Sequence, residues 1–427
     1  VGNYETLTAA EEALAKAEAD VISNAIKTID AIGKVTADSK DKIENAKDAY
    51  SAVPERLRDK VTNSDTLDKA TERFAVIDTI KQAGTKSEEH FSTVLGTLAD
   101  NDIYPVQSIG GEWSVIALAR AGKLSADKAA KYYSELCEAV KANGSDRLSD
   151  RKPTENARVI IALSSLGKNS ADIAGHNLLS GLDDMDYITS QGINAVIFSL
   201  IAFDTTDYSA KTHDELIAYI VDNMTGKGWA LAGDTADVDL TAMAIQALAP
   251  YAADEKVNAA IDSGLEFLAE SLDENARYAN GSESTSQVLI ALAALGIDPL
   301  TDSRFIVDGI TLIDALESYA TENGYSHTLG GEENYMATEQ AALALTAYEL
   351  SKDGSSLYEM SAKAEPTEPE NPDTPAQPGD SVKPGDCSGK PEDKNDPINP
   401  GTGVLVTGGM AVLISGAVML VSKKKRK

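Results

Sequence analysis

The stretch DVDLTAMAIQALAPY, from Asp237 to Tyr251, limits what this chain can fold into more than any other. After Thr241 it is apolar on every side except at Gln246, small alanines alternate with Met243, Ile245 and Leu248, and Pro250 ends it. A helix that is apolar all round has to be buried. The next stretch places Val257, Ile261, Leu265, Leu268 and Leu272 at steps of four, four, three and four, with charged and amide residues between them. That spacing predicts a helix with one apolar face. A buried helix followed by a half-buried one cannot close a core alone, so further copies are expected.

Aligning the central leucines finds them: Leu118 in EWSVIALARAG, Leu163 in NARVIIALSSLG, Leu200 in INAVIFSLIAF, Leu248, Leu292 in TSQVLIALAALG and Leu345 in TEQAALALTAY. Separations of 45, 37, 48, 44 and 53 residues leave room for an inner helix, a turn, an outer helix and a return loop. Amphipathic partners are expected over 125–142, 173–190, 213–223, 257–272 and 306–320, with 87–100 supplying a sixth from the front. Six such pairs close into a ring or wind into an open superhelix. The lack of a polar capping repeat at either end favours the ring. The expected fold is all-α: an α6/α6 toroid of six inner and six outer helices over residues 79–361.

The signatures GGEWSVIALARAGK, QGINAVIFSL, DVDLTAMAIQALAPY, SQVLIALAALGIDP and NYMATEQAALAL give that region a resemblance. It is similar to the α/α toroid of the prenyltransferase and squalene-cyclase superfamily, closest to repeat proteins of Gram-positive cell surfaces. The resemblance implies the fold and leaves the function open, since the superfamily includes cyclases, protein prenyltransferases, thioester-containing defence proteins and cobalamin carriers.

Residues 1–14 align with 61–74 at a period of 60 residues, so another repeat is expected before residue 1. Three short helices are expected over 21–32, 39–51 and 67–79, with Ser39 as an N-cap. Residues 1–78 thus resemble a helical spacer repeat of such surface proteins, its first copy truncated. After Met360 the composition changes: nine of the 14 prolines lie between Pro366 and Pro400 among Glu, Asp, Lys, Gly and Ser. A segment with so little to bury reads as a disordered stalk over 362–402. Residues 403–427 form the terminal segment, in which 404–421 carry no charge and Lys423, Lys424, Lys425, Arg426 and Lys427 follow. Eighteen apolar residues reach the lower limit for a membrane helix, and a basic end stays cytoplasmic. Immediately before it, Asn399, Pro400, Gly401, Thr402 and Gly403 resemble the sortase sorting pattern, with asparagine where leucine is commonest. The resemblance implies cleavage after Thr402 and linkage of the body to peptidoglycan, with sortase as a partner, on the extracellular face of the envelope. A retained membrane anchor is the plainer alternative.

With 38 basic residues against 68 acidic ones, and five of the basic ones in the tail, the remainder is strongly negative. Such a field repels nucleic acid and anionic lipid. Cys137 and Cys387, in dissimilar contexts, suggest no disulfide framework.

Inner-helix N-termini in a ring open on one mouth, where free N–H groups favour carboxylates and anions. The polar residues placed there are Glu112 with Trp113, Glu155 with Asn156, Asn194, Asp237 with Asp239, Glu283 with Ser284, and Asn334 with Glu339 and Gln340; loops are expected to add Trp229 and His327. Helix capping explains most of the acids one by one, whereas acids and aromatics gathered at one end suggest a binding mouth. Proton-initiated terpene cyclases use Asp-x-Asp-Asp; Asp237, Val238, Asp239 and Leu240 keep three positions and lose the last. Protein prenyltransferases hold zinc with Asp, Cys and His, and Cys137 has neither neighbours nor position for it. A glycan-cleaving site would pair Asp239 with Glu283. The remaining class is a receptor, for a corrinoid, isoprenoid or glycan, with no metal and no identifiable cofactor. The expectation is a surface-anchored receptor whose mouth binds a small molecule or surface partner; the alternative is an enzyme using Asp239.

Overall fold

The computed structural model describes residues 2–360, so the expected stalk, sorting motif (Asn399, Pro400, Thr402, Gly403), apolar span and basic tail lie outside the described residues. The described chain is all-helical, without a strand among the described residues. In chain order the helices are α1 (Gly2–Asp30), α2 (Lys40–Ser51), α3 (Ser64–Gly84), α4 (Ser87–Asp100), α5 (Ile109–Arg120), α6 (Ala126–Asn143), α7 (Pro153–Ser165) and α8 (Leu178–Leu182). They continue with α9 (Met185–Thr189), α10 (Ile193–Asp204), α11 (His213–Asp222), α12 (Val238–Leu248), α13 (Glu255–Glu270), α14 (Ser282–Ala294), α15 (Leu312–Glu317) and α16 (Tyr335–Ser351). No described helix is long and apolar enough to cross a membrane.

Two compact units share these elements. One runs up to Glu88 and takes in Leu272–Arg277 and Pro299–Ser318, so it crosses the expected boundary between residues 78 and 79. Ala25, Ile29, Ile43 and Ala46 bury the seam between α1 and α2. Ile77 and Ile80 of α3 share a second core with Ala276, Ile310 and Ala315. Lys81 pairs with Asp314 at 2.7 Å and Arg73 with Asp308 at 3.0 Å around it. The hairpin turn that presents Asp308 needs Gly309: its φ is +88°, and a Cβ there would meet the Ala37 side chain at 2.7 Å.

The other unit begins at Glu89 and holds the six apolar helices. α5 packs on α7, α7 on α10, α10 on α12, α12 on α14, α14 on α16, and α16 returns to α5. The aligned leucines Leu118, Leu163, Leu200, Leu248, Leu292 and Leu345 are all buried. α11 packs on α10, and α13 on α12 and α11, each along the apolar stripe that its period predicts.

Several elements differ from expectation. The helix expected over 173–190 is two short ones, because residues 173–176 form a tight turn closed by an Ile173–His176 bridge and Asn177 and Asp184 each cap a fresh N-terminus. The helix expected over 306–320 shrinks to α15 for the same reason: a Val307–Ile310 bridge precedes it, and Thr311 and Asp314 form a capping box. α1 is much longer than 21–32. Ser39 does not cap α2; its Oγ instead accepts the Thr36 N–H in the preceding 3-10 turn. Cys137, buried on α6, takes part in a disulfide, against the expectation of none; Cys387 lies outside the described residues.

Candidate functional site

The N-terminal turns of the helices in this circuit bring some of the expected residues together around a narrow cavity. Asp239, Glu283 and Met336, each the second residue of α12, α14 and α16, line its upper level. One turn deeper stand Met243, Gln287 and Gln340, with Trp113 of α5 and Phe198 of α10 opposite; Ile290, Leu343 and Tyr358 close the floor. The cavity measures about 40 Å³, room for two or three waters. Its walls are mainly apolar, with Trp113 tilted against Phe198 at 5.5 Å between ring centres.

Both carboxylates are held by neighbours. Asp239, 1% exposed, accepts a short hydrogen bond from the Ser284 hydroxyl. It is not the cap of α12: Asp237 is, accepting the Leu240 N–H at 3.0 Å, which corrects the capping reading of Asp239. Glu283 faces His327 Nδ1 at 2.8 Å and accepts from the Ser282 hydroxyl at 3.2 Å. His327 is half exposed and so connects the buried Glu283 to solvent. Below them a belt of amides crosses three helices: Gln246 Nε2 donates to the Gln287 carbonyl and side chain, and Gln287 Nε2 donates to Gln340 Oε1. The indole N–H of Trp113 and Oδ1 of Asn194 are buried without a partner among the described residues.

Other expected residues serve the scaffold. Glu112 is fully buried and accepts four hydrogen bonds, from the Gln107 and Ser108 N–H groups, the Tyr132 hydroxyl and Arg158 Nε. Arg158 also donates to Glu155 at 2.8 Å. Burial pushes the Glu112 carboxyl up and Arg158 pulls it back. Asn156 clamps two loops, donating to the Asp146 and Leu178 carbonyls and accepting the Leu148 N–H. Asn334 caps α16 through the Ala337 N–H. Trp229 is a correction: it lies in no open loop but is fully buried, with its indole N–H on the Ile220 carbonyl at 2.6 Å and its ring under Gly264. A tryptophan after Gly-Lys-Gly looks solvent-facing by composition, yet Gly264 on α13 leaves the space that seats it.

Glu339 is fully buried with only a 3.4 Å contact from the Ser114 hydroxyl, and its Oε1 has no partner among the described residues. Burial holds its carboxyl well above the ordinary glutamate range. A raised folded value means that its stabilising contribution is present in full below the unfolded value and is lost as pH rises towards the folded one. Wild type should therefore lose stability with rising pH relative to Glu339→Gln, by up to about 1.4 kcal/mol per pH unit in that window. Urea midpoints of both proteins across a pH series check this. Parallel profiles would mean that Glu339 is ionised in the fold.

Met243, Met336, Phe198, Gln287, Leu343 and Tyr358 were not expected at the site. Their signal was in the sequence: Met243 and Gln287 follow Asp239 and Glu283 by four residues, so they occupy the same helix face one turn lower. Comparison of the chain with protein-family models, with curated proteins and with solved structures gives no match.

Proposed function

We propose that the circuit of six helices is the inner ring of an α6/α6 toroid of the prenyltransferase and squalene-cyclase type, and that its mouth is a non-catalytic receptor for a hydroxyl-rich glycan. The circuit of contacts and the buried leucine register support the toroid. One observation carries the receptor reading: two carboxylates, two amides and an unpartnered indole N–H surround a cavity of about 40 Å³. Those groups can accept from and donate to a hydroxymethyl group, and Trp113 and Phe198 offer apolar faces to a sugar ring. A corrinoid or an isoprenoid chain needs several times that space. The glycan would lie across the mouth and insert one group.

Display at the extracellular face of the cell envelope belongs to the same proposal. It is supported by the order of Asn399, Pro400, Gly401, Thr402 and Gly403, the uncharged stretch 404–421 and the basic tail. Sortase and peptidoglycan are the partners this implies.

Native mass spectrometry of the full chain with a panel of neutral oligosaccharides tests the receptor. The expected result is one-to-one binding without cleavage, weakened about tenfold or more in Asp239→Asn, since hydrogen bonds to charged groups are worth about 1.5–3 kcal/mol. Cleavage that disappears in Asp239→Asn would replace the receptor with an enzyme.

A further inference from the structure

A second, partly open cavity lies at the other end of the circuit's helices. A cavity of about 440 Å³ lies where α10, α12 and α14 finish, lined by Ile201, Asp204, Gln246, Pro250, Tyr251 and Tyr358 among others. That is some ten times the mouth cavity and within the ordinary range of small-molecule pockets, about 300–1,000 Å³. No basic side chain among the described residues lines it. The nearby Arg120 guanidinium is engaged by the Ser356 carbonyl at 2.7 Å.

Two residues lining this chamber carry a buried acceptor atom with no donor among the described residues. Asp204, the last residue of α10, takes both of its hydrogen bonds on Oδ1, from the Tyr251 hydroxyl at 2.6 Å and from His213 Nε2 at 3.0 Å. Its Oδ2 is buried without a partner among the described residues. Gln246 is 3% exposed, and its Oε1 is likewise unpartnered. The orientation of that amide is not arbitrary, because its Nε2 meets the Gln287 backbone carbonyl, which can only accept. A buried acceptor without a donor carries a desolvation penalty. The charge of Glu359 is offset by the nearby Arg120, and the tyrosine rings and aliphatic wall suit an apolar body. The complement of such a chamber has several N–H donors, a positive charge and a compact apolar or aromatic group.

We propose that this chamber binds a small organic ammonium ion, a primary amine on an aromatic or alkyl body. Its N–H groups reach Asp204 Oδ2 and Gln246 Oε1, and its body lies against Tyr251, Tyr358, Ile201 and Pro250. His213 and Tyr251 position Asp204 by fixing Oδ1, which leaves Oδ2 for the ligand. The chamber shares Tyr358 with the floor of the mouth cavity, and Gln246 also bonds the mouth residue Gln287, but the proposal does not depend on the receptor reading.

Calorimetric titration of the full chain with phenethylammonium tests the proposal, with 2-phenylethanol and 3-phenylpropionate as the neutral and anionic counterparts. Saturable one-to-one binding of the amine is expected, about tenfold or more weaker for the alcohol and absent for the acid. Asp204→Asn should weaken amine binding by a similar factor. Because Asp204 also holds His213 and Tyr251, Gln246→Leu serves as a second variant and should weaken binding without disturbing that pair. No amine binding, equal binding of amine and alcohol, or unchanged affinity in Gln246→Leu would each overturn the proposal. So would an affinity lost in Asp239→Asn and kept in Gln246→Leu, which would put the amine at the mouth.

Discussion

Arg158→Leu is expected to lower the unfolding free energy by about 3–5 kcal/mol, the range for breaking a buried ion pair from one side. Arg158 and Glu112 are 4% and 0% exposed and meet at 2.9 Å. Removing the guanidinium leaves the Glu112 carboxylate in the interior with three neutral donors and no counter-charge. The double variant Glu112→Gln, Arg158→Leu should recover much of the loss, since an amide can still meet the Tyr132 hydroxyl and one N–H group. Urea unfolding at unchanged m-value measures both. A loss under about 1 kcal/mol for the single variant would mean that water reaches the pair and that it is a surface interaction.

Leu248→Ala is expected to destabilise by about 2–5 kcal/mol, as buried leucine truncations do. Leu248 is fully buried at the end of α12, which packs on α10, α13 and α14. Leu7, more than half exposed on α1, is the control: Leu7→Ala should stay within about 0.5 kcal/mol. Equal effects of the two variants would undo the assignment of Leu248 to the core.

That Leu248 was legible as core, and Trp229 was not as scaffold, has one physical origin. The six helices of the circuit are largely apolar, so burial follows from composition within ten residues, and the six leucines mark it without knowledge of any partner. The position of Trp229 depends on Gly264, some thirty-five residues later, leaving room on α13. No local pattern reports that. The short α8, α9 and α15 fell in between: their apolar spacing continued through 173–190 and 306–320, while the turns at Ile173–His176 and Val307–Ile310 and the caps at Asn177, Asp184 and Thr311 cut them down. Each turn pairs a non-glycine residue at positive φ, Ala174 or Asp308, with a glycine at positive φ, Gly175 or Gly309, so the Ala-Gly and Asp-Gly steps carried a turn signal that the apolar spacing overrode.

The candidate mouth divides in the same way. Asp239 and Glu283 lie on the cavity because each is second in a helix whose next turn carries an inner residue, a spacing visible in sequence. Glu112, Glu155 and Asn156 share the same kind of position, yet the first two are drawn into the scaffold by Arg158, which sits among apolar residues in NARVIIALSSLG and gives no sign of its partners, and Asn156 is taken up by backbone groups of Asp146, Leu148 and Leu178. The chamber around Asp204 was not legible at all. It is assembled from helix ends and from Tyr358, which follows the last inner helix.

The claim that the inner-helix mouth is a receptor is tested most directly by tryptophan emission. The chain has two tryptophans. Trp229 is sealed and hydrogen-bonded, while Trp113 lines the cavity with its N–H unpartnered among the described residues. A neutral oligosaccharide bound at the mouth should change the emission of the full chain saturably, and Trp113→Phe should remove that change while the oligosaccharide still binds. Binding that leaves the emission of the wild-type chain unaltered would put the glycan elsewhere and contradict the account.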